Sequence, residues 1–337
     1  MKRTIMAAVG LFTGIGLLGC NASLRQHRRE IRGHQADIAE ALPKIRPNDV
    51  VVPFAYESEH IELARRLTST GSSLNERVIR MAAAIDDPLE LGIRYVPDAT
   101  GTLKETLARK EGNCFSIATV YIALARAAGF SSYYIVSRNP VFFARPGSGF
   151  LVVSNHISGA VRGLHGPLFL DYDNVFFNPY ATRRVSDREA IALFYNNRAS
   201  ELLQRADDAR RSKAFEEART LLEVALAAWP RLAFGHNNLG LIAAQQGDFR
   251  NAEVHYRRAI ELDPRLGSAR LNLALLYART GRFAHARAEL EAATRAQPDD
   301  ERLKARLAET TAALAGAPRP SSSYVPSKKR LLAPSSE

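Results

Sequence analysis

A period of 34 residues is the feature that most constrains the fold of this chain of 337 residues. Pro230, Pro264 and Pro298 lie one period apart, and the residues between them correspond from unit to unit. Alanine recurs at two equivalent positions, which are Ala218, Ala252 and Ala286 in one set and Ala225, Ala259 and Ala293 in the other. Small residues let paired helices approach closely, and proline ends a helix because it cannot continue one. The pattern predicts stacked helix pairs from residue 199 to residue 298.

This unit resembles the tetratricopeptide repeat, whose period is 34 residues and whose unit is a pair of helices. The second and third units match the pattern strongly, whereas the first is degenerate and has Lys213 at the position of the turn glycine. Three stacked units form a concave surface suited to a protein segment, so the resemblance implies a protein partner. The all-α region is expected to span 199–315, with units at 199–232, 233–266 and 267–300 and a capping helix after them.

The region 50–190 shows helical patterns first and strands afterwards. Amphipathic patterns at about 57–69 and 73–86 precede an apolar helix that begins at Cys114 and ends near Gly129. β-branched and aromatic runs then follow at 132–136, 150–157 and 168–172. Helices followed by strands without β-α-β alternation indicate an α+β domain.

Cys114 opens the apolar helix, and its position suits a nucleophile. Asn113 is a favourable N-cap residue, and Gly112 leaves the approach to the helix uncrowded. The unsatisfied N–H groups at a helix N-terminus favour negative charge and hence the thiolate, which is the reactive form of cysteine. The alternative is a structural role, since cysteine is among the most buried residue types.

A thiolate nucleophile needs a base, and the base needs an orienting group. Between Cys114 and the repeats the chain has His156 in a predicted strand and His165 in a glycine-bearing loop. We favour His156 because a rigid element positions a catalytic group better than a loop does. Asp171 and Asp173 share one face of the next predicted strand, and we favour Asp171 as the more internal of the two.

The run from Gly112 to Phe130 resembles the nucleophile segment of the transglutaminase-like superfamily. The shared pattern is Gly-x-Cys, an alanine one turn later, and Ala-Leu-x-Arg-Ala-x-Gly before a strand. The superfamily's order of Cys on a helix, His on a strand and Asp on the following strand corresponds to Cys114, His156 and Asp171. The resemblance covers about residues 85–180 and implies a papain-like α+β core.

The resemblance also implies acyl transfer from an amide. In that chemistry Cys114 attacks the carbonyl, His156 protonates the leaving amine, and water or another amine resolves the thioester. Asp171 would fix the imidazole tautomer, and the backbone N–H of Cys114 is the expected oxyanion donor. The sequence has no His-Glu-x-x-His, Cys-x-x-Cys or Gly-x-Ser-x-Gly motif, so we expect neither a metal nor a cofactor.

A departure from the superfamily pattern leaves a second hypothesis open. Many relatives follow the catalytic histidine with an aromatic residue and then glutamate, whereas Ile157-Ser158-Gly159 follows His156 here. The α+β core could therefore be inactive. The chain would then be a membrane-tethered scaffold that acts through protein–protein interaction.

The N-terminal segment predicts export. Lys2 and Arg3 precede an uncharged apolar run that ends at Gly19, shorter than the ~18–20 residues that cross a bilayer. Cys20 follows Leu-Leu-Gly, which resembles the lipobox of bacterial lipoproteins. The resemblance implies that residues 1–19 are a signal peptide and that acyl chains such as palmitate anchor Cys20 in a membrane. Several chains give stable anchoring.

Residues 20–49 are expected to be a lipidated tether, in which the basic segment 21–45 is either a short helix or an extended link. Asn21 differs from the aspartate that retains lipoproteins at the inner membrane, which favours the periplasmic face of the outer membrane in a Gram-negative host. The net charge of +11 suits anionic envelope polymers or lipid headgroups. Export and the lack of a nucleic-acid motif argue against nucleic acid. Residues 316–337 are expected to be disordered.

Overall fold

The computed structural model describes six segments of the chain, which are residues 6–144, 151–163, 166–170, 182–206, 211–296 and 301–315. Within these segments only the backbone is described for several stretches, which include 6–21, 137–144 and 151–156. A mixed α/β region comes first, and a helical region begins at residue 187. This order agrees with an α+β domain followed by an all-α repeat region.

Helices precede most of the strands in the α/β region, as the sequence predicts. Its elements are α1 (Met6–Glu40), α2 (Ser58–Leu67), α3 (Leu74–Ala83), β1 (Arg94–Tyr95), α4 (Leu103–Arg109), β2 (Glu111–Gly112), α5 (Cys114–Ala127), β3 (Ser132–Ala144), β4 (Leu151–Arg162), β5 (Pro167–Leu170) and β6 (Thr182–Val185). β1 and β2 form a short parallel pair, and the other strands form an antiparallel sheet in the order β5-β4-β3-β6. The strands β3 and β4 are longer than their apolar runs predict.

α5 lies at the centre of this region. Its residues from Phe115 to Ala125 are buried without exception, and it packs against α2, α3, α4 and the sheet. A helix that is apolar on all faces has to be enclosed by other elements. The long strands β3 and β4 and the surrounding helices provide that enclosure.

An ion pair joins the end of α5 to the start of the next helix, α6 (Asp187–Arg205). Both guanidinium nitrogens of Arg126 donate to the Asp187 carboxylate, at 2.8 and 2.7 Å. The same guanidinium lies 5.0 Å from the ring centroid of Phe54. Such two-pronged bonding fixes geometry as well as charge, and it ties the α/β region to the first repeat helix.

α1 packs against the α/β core from Leu24 onward. Leu24 and Ile38 are buried, and the His27 ring stacks on Tyr56 with 3.7 Å between ring centroids. The Nε2 of His27 accepts a hydrogen bond of 3.1 Å from the backbone N–H of Tyr56. The part of the predicted tether from Leu24 to Glu40 is therefore helical and belongs to the folded core. No helix within the described residues combines the length and apolar character of a membrane span.

The helical region continues with paired helices, which are α7 (Arg211–Ala228), α8 (Ala233–Gln245), α9 (Phe249–Leu262), α10 (Gly267–Arg279), α11 (Phe283–Ala296) and α12 (Glu301–Ala315). α8 with α9 and α10 with α11 coincide with the second and third predicted units. The six recurring alanines are all 0% exposed, as the close packing of paired helices requires. The first helix of the series, α6, begins at Asp187 and so before the predicted boundary at residue 199.

The first helix of each pair is buried far more completely than the second. α8 and α10 bury most of their residues, whereas α9 buries only Ala252, Tyr256 and Ala259. Both α8 and α10 contact β4, and α6 contacts it as well. The inner side of the repeats therefore lies against the sheet of the α/β region.

Buried asparagines line these inner helices. The side-chain nitrogen of Asn238 donates to Asn196 Oδ1 at 3.0 Å, and that of Asn272 donates to Asn237 Oδ1 at 2.9 Å. Buried amides need partners of this kind because an unsatisfied polar group is costly. The ladder links α6, α8 and α10 and fixes their relative register.

The docking of α1 predicts a loss of stability in acid. Burial, reinforced by the charge of Arg126, lowers the pKa of His27 from 6.5 to about 4. The neutral ring is favoured in the folded state, so its contribution is complete above pH 6.5 and is lost as the pH falls from 6.5 to 4. We expect His27→Gln to remove roughly 2–3 kcal/mol from the difference in unfolding free energy between pH 7 and pH 4. Urea denaturation at both pH values measures it, and parallel curves for the two proteins would contradict the assignment.

Candidate active site

Cys114 is the first residue of α5, as the sequence predicts. Asn113 caps the helix, and its Oδ1 accepts a hydrogen bond of 3.0 Å from the backbone N–H of Ser116. Gly129, just past the other end, has a φ of +85°, the left-handed conformation that commonly ends helices. The side chain of Cys114 is partly buried, in contrast to the fully buried residues that follow it. The thiol thus lies where the N-terminus of α5 approaches the surface.

The N-cap residue belongs to a hydrogen-bonded cluster around the helix start. The side-chain nitrogen of Asn113 donates to Thr100 Oγ1 at 2.7 Å. The hydroxyl of Ser116 accepts a hydrogen bond of 2.7 Å from the backbone N–H of Gly101. Asn113, Thr100 and Ser116 are all buried. The loop at residues 99–101 therefore holds the first turn of α5 by side-chain bonds from both sides.

Gly112 allows this close approach. A methyl group in place of its hydrogen would lie 2.7 Å from Cβ of Ser116 and 3.0 Å from Cγ2 of Thr106. Contacts below 3.0 Å require a shift of the neighbouring group, and Cβ of Ser116 is attached directly to the helix backbone. Glycine is required here for space.

α5 packs directly on β4, the strand that carries His156. Gly159 of that strand faces α5, because a methyl group there would lie 2.7 Å from Cδ1 of Tyr121 and 3.5 Å from Cδ1 of Ile122. His156 is three residues earlier in the same strand. Nucleophile and predicted base are therefore on two elements that contact each other.

The pairing of β3 with β4 is irregular at His156. Val136 pairs with Ile157, but the next pair along is Pro140 with Asn155. Two residues of β4 thus advance while β3 advances by four, which is a bulge in β3. Bulges are common beside active sites, where they change the local twist and strand direction. The backbone irregularity at this position could not be read from the alternation of apolar residues.

The remaining site predictions lie outside the described residues. The structure describes the backbone of His156 and not its side chain, and His165, Asp171 and Asp173 fall in segments that it does not describe. Convergence of Cys114, His156 and Asp171 therefore stays a prediction. Among the described residues, no three His, Cys, Asp or Glu side chains are arranged to hold a metal ion.

The structure adds residues that sequence reasoning missed. Thr100 and Ser116 bond Asn113, and Glu201 of α6 accepts from Thr100. Ser116 could have been found, since an N-cap side chain bonds the residue two or three positions later. Thr100 and Glu201 carry no local signal, because they are 101 residues apart in the chain.

Comparisons with known proteins agree with this architecture. Residues 61–147 match the family model of the transglutaminase-like superfamily, a range that contains Cys114 and ends before His156. Residues 203–265 and 243–309 match two models of the tetratricopeptide repeat. An α+β hydrolase-type core joined to helical repeats is thus the class of architecture. More particularly, the chain has a transglutaminase-like domain followed by tetratricopeptide repeats.

The solved structures include one similar chain of known source. It is a thermophilic tetratricopeptide-repeat protein from Thermus thermophilus, with 28% sequence identity and a TM-score of 0.31. The alignment covers 37% of the present chain and 63% of that chain. Among curated proteins, none matches the chain.

The tight fit at Gly112 gives a stability prediction. Gly112→Ala should displace the first turn of α5 and lower the free energy of unfolding by about 1–3 kcal/mol, as overpacking usually does. Gly33→Ala is the matched control, because Gly33 lies on an exposed face of α1 with no atom within 4 Å of the added methyl group. That control should gain up to about 1 kcal/mol from helix propensity. Equal effects of the two substitutions in urea denaturation would refute the steric argument.

Proposed function

We propose that this protein is a cysteine hydrolase or acyltransferase that acts on amide bonds in the cell envelope, with repeats that recruit a protein partner. The single observation that carries the proposal is the position of Cys114. Its partly buried thiol stands at the capped N-terminus of a helix whose following residues are enclosed. A helix start favours the thiolate and supplies backbone N–H groups to a developing oxyanion.

The proposed reaction is acyl transfer through a thioester. The Cys114 thiolate adds to the amide carbonyl, and the backbone N–H of Cys114 stabilises the oxyanion of the tetrahedral intermediate. His156 gives a proton to the leaving amine as the C–N bond breaks, and Asp171 orients the imidazole. Water then releases an acid, or a second amine forms a new amide. The packing of α5 against β4 supports the pairing of Cys114 with His156.

The proposed role of the repeats is to bring a protein partner or substrate to the site. Tetratricopeptide repeats are protein-binding modules, and α8 and α10 lie against the strand that carries His156. A partner held by these repeats would therefore be close to the nucleophile. This arrangement favours a protein or peptide substrate.

The proposed location rests on the lipobox-like sequence that ends at Cys20. The docked part of α1 begins at Leu24, four residues further along the chain. Acyl chains on Cys20 would hold the folded domain close to a membrane surface, and the positive net charge suits anionic headgroups there. We propose the periplasmic face of the outer membrane.

A second candidate function is an inactive scaffold. The observation that favours it is the sequence Ile157-Ser158-Gly159, which departs from the aromatic residue and glutamate that follow the histidine in many relatives. In that case the α/β domain would serve only to hold the repeats at the membrane.

Replacement of the nucleophile separates these candidates. Cys114→Ala should abolish both cleavage of fluorogenic peptide amides and incorporation of a fluorescent amine into a glutamine-bearing protein, a loss of at least about 10³-fold. The melting temperature should stay near that of the wild type, because the side chain is small and lies at the edge of the core. Asp37→Asn, an exposed change far along α1, is the control and should retain activity. Full cellular function of the Cys114→Ala protein would favour the scaffold instead.

A further inference from the structure

One face of α6 grips the loop that precedes the nucleophile. Arg198 donates to the Glu105 carboxylate at 3.2 Å, and Arg205 bonds both the carboxylate and the backbone carbonyl of Asp98. Glu201 lies between these arginines on the same helical face, since residues three and four apart share a face. Three side chains of a repeat helix thus contact one short segment of the α/β domain.

Glu201 makes the central contact. Its Oε1 accepts from the backbone N–H of Thr100 at 2.8 Å and from the Thr100 hydroxyl at 2.5 Å. The carboxylate is largely enclosed, and burial raises its pKa against the opposing effect of its bonds to Thr100 and of the neighbouring arginines. A carboxylate with two such bonds in a protected setting holds its partner firmly.

The same Thr100 hydroxyl connects Glu201 to the start of α5. It accepts from the side-chain nitrogen of Asn113, whose Oδ1 receives the backbone N–H of Ser116. The hydroxyl can accept from Asn113 because its own proton goes to Glu201. Removing the acceptor on α6 would free that proton to seek another partner and would loosen the N-cap residue next to Cys114.

We propose that Glu201 is a positioning residue, through which the repeats hold the N-cap of the nucleophile helix by way of Thr100. The inference rests on the proposed function in one respect, which is that Cys114 is the nucleophile. It adds that the repeats complete the active site as well as recruit a partner. Movement of α6 on binding a partner would then change the reactivity of Cys114.

Iodoacetamide alkylation of the full chain tests this without a substrate. The rate at Cys114 is followed by the mass of the peptide that contains it, between pH 5 and pH 9. Glu201→Ala should slow alkylation at pH 7 about three- to tenfold and move the midpoint of the pH profile upward, because the loosened cap stabilises the thiolate less. Glu201→Gln keeps the acceptor oxygen and should stay within about twofold of the wild type.

Two further variants make the result decisive. Glu217→Ala is the matched control, because Glu217 lines the same cavity between α6 and α7, about 500 Å³ in volume, and should leave the profile unchanged. Thr100→Val keeps the shape of the side chain and removes only the hydroxyl, so it should reproduce the shift even if Glu201→Ala folds poorly. Wild-type pH midpoints in Glu201→Ala and Thr100→Val would overturn the proposal. An equal loss in Glu201→Gln would overturn it too, since charge and not the acceptor would then be responsible. Failure of all substrates to turn over would bear on the proposed function and leave this result intact.

Discussion

The enclosure of α5 is the constraint on which the rest of the structure depends. A helix whose residues from Phe115 to Ala125 are all buried needs other elements on every face, and the strands β3 and β4 and the helices α2 to α4 supply them. At its N-terminus the helix approaches solvent, and there Cys114 is partly buried. The same packing therefore creates the core and brings the thiol to a place where backbone N–H groups favour its ionised form. The reaction proposed here follows from that coincidence.

The repeats are continuous with this core. Val224, Ala225 and Ala228 of α7 belong to the same apolar cluster as α5, and the Arg126–Asp187 pair joins the end of α5 to the start of α6. The inner helices α8 and α10 lie against β4. A module that only recruited a partner would need a flexible link to the enzyme domain. Here the shared core makes the position of the repeats part of the geometry of the site.

Local patterns in the sequence were sufficient to predict the repeats and the nucleophile helix. The 34-residue period and the buried alanines follow from helix pairs that touch closely, and Asn113 and Gly129 mark the ends of α5 by their capping chemistry. Long-range features were not predictable. The docking of α1 depends on a stacked ring at Tyr56, and the role of Glu201 depends on a loop about a hundred residues away. The irregular pairing at His156 is likewise a property of two strands together, which one strand's alternation does not reveal.

The central claim is that Cys114 and His156 act as a pair across the contact between α5 and β4. The most direct measurement is the pH profile of Cys114 alkylation in the wild type and in His156→Ala. A thiolate that is stabilised by an adjacent imidazolium reacts well below the pH at which an ordinary thiol ionises, so the wild type should keep an acidic limb that His156→Ala lacks. Superimposable profiles for the two proteins would contradict the account.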